Sequence, residues 1–332
     1  MASQYSIGRV RASSRARCRS NDDPILIAVI GVTGAGKSTF INRAAGRNIL
    51  QVGHTFDSCT QSVNCVRTEI DGREVFLIDT PGFDDSQRTD AEVLEEISDW
   101  LTTTFWEGIY LNGIILLQPV EGCRGLGSER RRTRLFQKIC GPDAYSHVVI
   151  GTTMWGKIRN RVDGENMVRQ RRDSEEFWAA LIRRGAEVVE HEDTRESALN
   201  IIRKVMFKNK TILQLQQELA ECDGILHRTA AGRQLDQDLG QSSERRRREL
   251  DAIISERDAF RKSTQELEER IMELISLIES IEDQRTKLQN TEVRASSSKP
   301  QWIQAFAALG TLGVGAATAA IPLATGGSCT IL

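Results

Sequence analysis

Net charge is almost absent from this chain. Against 44 Lys and Arg stand 46 Asp and Glu, a formal −2 at pH 7, so the overall balance carries no argument for nucleic acid and none is expected as a partner. Also missing are the apolar h-region of a secretory signal and any CxxC pair among the 7 Cys, an odd number. These absences point to a reducing compartment, with Cys59, Cys65, Cys123 and Cys140 read as core or near-core thiols. No acid occurs in residues 1–21, where Arg9, Arg11, Arg15, Arg17 and Arg19 alternate with Ser and small residues. Residues 1–23 therefore read as a disordered basic arm, with an organelle-targeting presequence as the alternative. At 332 residues the chain exceeds one ordinary domain and can bury a large core.

What is there is concentrated at residues 31–39, GVTGAGKST, which meet the full phosphate-binding loop pattern. The preceding PILIAVI is an unbroken apolar run suited to a buried parallel strand, and FINRAAG continues as a helix, so strand, Gly-rich turn and helix start coincide. Gly31, Val32, Thr33, Gly34, Ala35, Gly36 and Thr39 supply a loop whose backbone amides turn toward phosphate oxygens at a helix N-terminus. Lys37 is expected at the β- and γ-phosphates and the Ser38 hydroxyl on Mg²⁺.

Alternating residues 62–70, the turn Asp71-Gly72 and the apolar EVFLIDT form an expected hairpin, the single antiparallel pair of a mostly parallel sheet. It ends on Asp79-Thr80-Pro81-Gly82. Asp79 closes a buried strand at the carboxyl edge, where an open α/β sheet binds ligands, and is expected to hold Mg²⁺ through water. Gly82 offers an amide to a γ-phosphate, so its segment can order with triphosphate and relax after hydrolysis.

Together these motifs identify a GTPase of the translation-factor-related class. The segments DTPGFDD, GIYLNGIILL, RLFQKICG, HVVIGTTMW and TRESALNII extend the likeness over residues 24–208. There the chain resembles the septin-related GTPases, meaning the immune-associated nucleotide-binding and chloroplast-import receptor families, and specifically their uncharacterised fungal branch. The resemblance implies a P-loop NTPase three-layer α/β sandwich, GTP or GDP with Mg²⁺, and a homodimer formed across the nucleotide face. It also implies a switch threonine in SCTQSV, making Thr60 the second Mg²⁺ ligand and, with Lys37, part of the hydrolytic machinery; Thr55 is the alternative.

Two departures bear on activity. Phe83 follows DTPG where Ras-like members carry the glutamine that orients water, so hydrolysis is expected to be slow or completed by a partner. Asp84 and Asp85 are read as solvated, or as positioning water. Guanine selection in this class rests on an acid after the fifth strand, yet GTTMWG has none: Gly156 stands where related sequences carry Asp. Thr153 remains a candidate nucleotide contact, Trp155 and Met154 either base-packing or core residues, and His191 a candidate beside the base.

LNGIILLQP reads as a buried strand and residues 128–140 as a helix capped by Ser128, whose Arg130, Arg131, Arg132 and Arg134 are taken as a solvated face. A polar helix over 164–184, a last strand over 186–191 and a helix over 194–207 with Thr194 as N-cap close the sheet. From residue 209 to 295 the pattern becomes helical, with Gly224, Gly232 and Gly240 as interruptions. A heptad register then runs through Leu250, Ile253, Arg257, Phe260, Thr264, Leu267, Ile271, Leu274, Ile278, Ile281, Arg285 and Leu288. It predicts a long α-helical coiled coil that self-associates, the alternative being a helix folded back on the GTPase domain.

Residues 296–332 form a tail. From Trp302 onward no charged side chain occurs, and the Ala/Gly-rich run is long enough to cross a bilayer, although it would also suit a helix packed on protein. The last residues, Cys329-Thr330-Ile331-Leu332, match a prenylation motif. The expectation is a cytoplasmic GTP-binding switch or scaffold attached to a membrane's cytosolic face. The alternative is a nucleotide-dependent assembly protein with little hydrolysis, or one with relaxed base choice that accepts ATP.

Overall fold

The computed structural model describes residues 23–50, 63–85, 88–121, 126–260, 265–294 and 302–304. Thr55, Cys59, Thr60, Cys123, Thr264, the basic arm up to residue 22 and the tail from 305, including Cys329, lie outside them.

Six strands form one sheet: β1 (Ile25–Gly31), β2 (Asn64–Ile70), β3 (Arg73–Asp79), β4 (Gly113–Pro119), β5 (Val148–Thr153) and β6 (Glu187–Glu190), in spatial order β2-β3-β1-β4-β5-β6. All neighbours are parallel except β2 and β3. Asp71 and Gly72 turn that hairpin with φ of 51° and 71°, the left-handed pair that matches strand twist. The expected mostly parallel three-layer sandwich with an antiparallel edge strand is what forms.

Strand alternation sends β1 side chains to two cores. Ile25, Ile27 and Val29 meet α1 (Lys37–Ala45) and α6 (Arg195–Met206), whereas Leu26, Ala28 and Ile30 meet α2 (Asp90–Trp106) and α3 (Leu126–Cys140). Burial on both faces explains why β1 and β4 read as continuous apolar runs. Cys65 and Cys140 are buried free thiols, as expected.

Several boundaries differ from the sequence reading. α3 starts at Leu126, so Ser128 lies inside it and does not cap it. Its arginines are not a uniformly solvated face: Arg130 pairs with Glu176, Arg132 with Asp84 and Arg134 with Asp238. The helix expected over 164–184 divides into α4 (Arg161–Asp173) and α5 (Ala179–Arg183), because Ser174 adopts extended backbone and Phe177 and Trp178 turn into the core. Thr194 does cap α6, accepting from the Ser197 amide.

The largest difference is C-terminal. α7 (Gln214–Glu221), α8 (Ala230–Phe260) and α9 (Gln265–Asn290) pack on the sandwich, and α8 and α9 lie antiparallel. Gly232 and Gly240 sit inside α8 and do not interrupt it. At Gly232 a Cβ would fall 2.1 Å from the Leu226 carbonyl oxygen, so the glycine admits a close backbone approach. Part of the heptad seam is covered within the chain: Leu274, Ile281 and Leu288 are buried, and Leu250, Ile253, Leu267, Ile271 and Ile278 half-buried. Arg285, read as a weak point of the seam, gives a bidentate ion pair to Asp236 on α8. This is the folded-back alternative. The Val293 amide donates to the Gly224 carbonyl at 2.8 Å, closing the hairpin onto its own start. Trp302 and Ile303, the start of the apolar tail, are buried in the α2/α3 core. Among the described residues no helix is long and apolar enough to cross a membrane.

Candidate functional site

The site begins where β1 ends. Gly36 adopts φ 92° as the N-cap of α1 and supplies no side-chain cap, leaving the first helical amides open to an anion. Gly31 is confined from the other side, since a Cβ there would stand 2.5 Å from the Leu117 carbonyl oxygen. Lys37, only 7% exposed, donates its ammonium to the carbonyls of Gly31 (3.2 Å) and Val32 (3.0 Å) and so lies across the loop. Burial lowers its pKa, partly offset by the negative charges of Asp79 and Asp85.

One residue further, the Ser38 hydroxyl donates to Asp79 Oδ2 at 2.7 Å. A hydroxyl and a carboxylate on adjoining elements form a hard-oxygen donor set that suits Mg²⁺. Thr80, buried behind them, donates its hydroxyl to the Val29 carbonyl at 2.9 Å and anchors the second loop to β1. That loop lies directly on the first. Val32 and Phe83 form a parallel bridge, the Thr33 amide donates to the Phe83 carbonyl at 3.0 Å, and the Thr33 hydroxyl donates to Asp85 Oδ2 at 3.0 Å.

Phe83 is 4% exposed and belongs to the α2/α3 core, so its side chain faces away from solvent. The two acids behind it are not merely solvated, as the sequence reading had them. Asp84, at φ 61°, accepts from Arg132 at 2.8 Å while its own amide donates to Asp90 Oδ1 at 2.8 Å, and Asp85 accepts from Thr33.

A cleft of about 1620 Å³ opens beside the loop, between α1 and the carboxyl ends of β5 and β6. Ala35, Gly36, Thr39, Thr153 and His191 line it. The Thr153 hydroxyl donates to the Ala35 carbonyl at 2.9 Å, tying β5 to the loop. Met154 turns the chain with φ 63°, and the Trp155 indole N–H donates to the Thr152 carbonyl at 3.2 Å. Trp155 is a cleft wall, not a core residue, with the Arg161 guanidinium 4.8 Å above its ring. His191 is buried, edge-on to Phe40 at 5.1 Å and 2.8 Å from the Ser197 hydroxyl. Burial lowers its pKa, against the pull of Asp193.

Of the candidates, Ala35, Gly36, Thr39, Thr153 and His191 line the cleft, while Lys37, Ser38 and Asp79 meet at the loop beside it and Gly82 packs on Thr33; Thr60 lies outside the described residues. Sequence reasoning passed over Glu190, Arg161 and the Arg43–Asp193 pair, which line the same cleft. Glu190 carried the signal that Asp79 did, an acid closing a strand at the carboxyl edge.

Residues 26–108 match the family model described as 50S ribosome-binding GTPase. A probable GTP-binding protein EngB of Lactobacillus delbrueckii subsp. bulgaricus is 31% identical over 118 residues, 35% of this chain and 55% of that protein. GTP-binding protein A of Dictyostelium discoideum is 25% identical over 127 residues, 38% of this chain and 27% of that one. The chain therefore spans about half the length of the EngB relative it matches. Among solved structures, a dimerization-deficient mutant of Toc33 from Arabidopsis thaliana is similar with TM-score 0.47 and 14% identity, over 57% of this chain and 88% of that one. Toc33 in complex with Mg²⁺ and GMPPNP is similar with TM-score 0.43 and 16% identity, over 52% and 72%. Strand order, phosphate loop and matched segment together make this the P-loop GTPase fold.

Proposed function

We propose that this chain binds GTP and GDP with Mg²⁺ and hydrolyses GTP slowly, as a switch or scaffold of the septin-related branch. The observation that carries this is the junction of Lys37, Ser38 and Asp79 at the uncapped start of α1, with Gly82 pressed against Thr33. In that reading the α1 amides and Lys37 hold the phosphates, and Ser38 and Asp79, with Thr60, hold Mg²⁺. Bound there, the metal would supply charge neutralisation to the phosphates.

The burial of Phe83 favours slow turnover, because no side chain at that position can orient water. Completion of hydrolysis by a second copy across the nucleotide face is what the resemblance implies, and it would make good that shortage. Since Leu274, Ile281 and Leu288 of the heptad seam are covered within the chain, self-association is assigned to this face ahead of the helices. The apolar run after Ile303 supports membrane attachment on the cytosolic side.

Competition of fluorescent GDP on the full chain by GTP, GDP and ATP in Mg²⁺ tests the binding reading. Guanine nucleotides should compete far better than ATP, and Lys37→Ala should abolish binding. No Lys37-dependent binding by a folded chain overturns it. Hydrolysis measured at rising protein concentration separates a dimer-completed GTPase, whose rate per molecule climbs, from an assembly protein that stays inactive throughout.

A further inference from the structure

The cleft lacks the acid expected at Gly156. A Cβ built there meets nothing within 4 Å among the described residues. The adjacent strand ends on a carboxylate. Glu190 closes β6 in register with Thr152, and the next amide, His191 N–H, donates to the Thr152 carbonyl at 2.9 Å. Glu190 is thereby held against the end of β5, where Met154, Trp155 and Gly156 leave the sheet and line the same cleft.

Its two oxygens are not equivalent. Oε2 accepts from the Arg161 guanidinium at 2.6 Å, and Arg161 is itself fixed by the Trp155 ring at 4.8 Å and by Glu165 at 3.3 Å. Oε1 is buried and has no hydrogen-bond partner among the described residues, although the side chain as a whole is 28% exposed and lines the cleft. A buried carboxylate oxygen without a donor is costly and uncommon in a folded protein, which marks it as an acceptor awaiting a ligand. Neither other carboxylate lining the cleft has a buried oxygen without a partner. Asp193 gives both oxygens to Arg43, and Glu192 is exposed.

We propose that Glu190 reads the base in place of the absent acid, accepting from the N1–H and 2-amino edge of guanine through Oε1 while Arg161 holds Oε2. Adenine offers no donor at N1 and no 2-amino group, so it meets the carboxylate with an acceptor. With one oxygen available, discrimination is smaller than a carboxylate using both oxygens provides. The inference rests on GTP binding at the phosphate loop.

The test is competition by GTP, ATP and xanthosine triphosphate on the full chain, compared with Glu190→Ala and Glu190→Gln. Because the readout is a ratio between nucleotides, partial unfolding of a variant does not imitate it. Glu190→Ala should weaken GTP by roughly ten- to a hundredfold, one charge-assisted hydrogen bond, and leave ATP within about twofold. Glu190→Gln should move preference toward xanthosine triphosphate, whose 2-oxo group accepts from the new amide. If nucleotides bind in a Lys37-dependent way but the GTP-to-ATP ratio ignores both variants, Glu190 does not read the base. If no nucleotide binds the wild-type chain, the underlying GTP reading fails instead.

Discussion

Thr33 and Phe83 join the loop after β1 to the loop after β3: the Thr33 amide donates to the Phe83 carbonyl at 3.0 Å. Between them Gly82 lies so close that a Cβ would stand 2.4 Å from the Thr33 hydroxyl oxygen and 2.5 Å from its amide. The loop after β3 therefore reports directly on the loop after β1. A phosphate that shifts one must shift the other.

Gly82→Ala should separate these loops. The overlap is with backbone, which cannot step aside as a flexible side chain can, so a loss of about 1–3 kcal/mol is expected in chemical denaturation. The larger effect should be on coupling: the ratio of GTP to GDP affinity should move toward one. A variant that keeps the wild-type ratio would disconnect the second loop from the γ-phosphate.

Lys37 makes the opposite trade. Burial disfavours its charged form, so its folded pKa lies below the unfolded value, and at neutral pH the ammonium costs the empty protein stability. Lys37→Met should leave the nucleotide-free melting temperature unchanged or raised. GTP affinity should fall by roughly 10²–10³-fold, the loss of two charge-assisted hydrogen bonds. Lowered stability together with unchanged affinity would place Lys37 in the structure and not at the phosphates.

The phosphate loop and the strand–hairpin–strand frame were legible because each is local: a Gly-rich turn between an apolar run and a helix, and a two-residue turn between alternating strands. Long-range packing was not. The heptads of residues 250–288 define a seam but cannot say which surface covers it. Gly232, Arg285 and the Val293 to Gly224 pairing, which decide the matter, are far apart in sequence. Ser128 reads as a cap because helix starts are judged from a few residues, while the paired arginines of α3 take partners from α8, from the loop after β3 and from the segment after α4. Glu190 went unread at the cleft for the same reason, since its surroundings depend on Arg161 and on β5.

On the outer face of α2, partial burial raises the Asp99 carboxyl to about 6, with Glu95 and Glu96 adding to the shift. A raised carboxyl pKa means the folded state holds its proton longer than the unfolded chain, so stability falls as pH rises from about 4 through 6. Asp99→Asn removes the charge and should stabilise the protein at pH 7, with no gain below about pH 4. Because the side chain stays open to water, the gain should be no more than about 1 kcal/mol. Melting curves at several pH values read it directly: wild type and variant should converge on acidification, and a constant offset would rule out titration as its source.

Arg171 and Glu129 form the buried ion pair of the nucleotide half, at 2.5 and 2.9 Å and 5% and 1% exposed. Arg171 also donates to the Val120 carbonyl at 2.9 Å, so α4 is tied through one side chain to α3 and to the end of β4. Glu129→Gln leaves a buried guanidinium without its counter-charge and should cost about 3–5 kcal/mol in denaturant unfolding. Glu129→Leu with Arg171→Met should recover most of that, losing about 1–3 kcal/mol for the abandoned Val120 carbonyl. Because α4 starts at Arg161, the guanidinium on Glu190, the two changes should differ at the cleft as well as in stability. Glu129→Gln should narrow the preference for GTP over ATP, while the apolar pair, with α4 seated again, should restore it. Equal preference in both variants would show that the docking of α4 stabilises the fold without positioning Arg161.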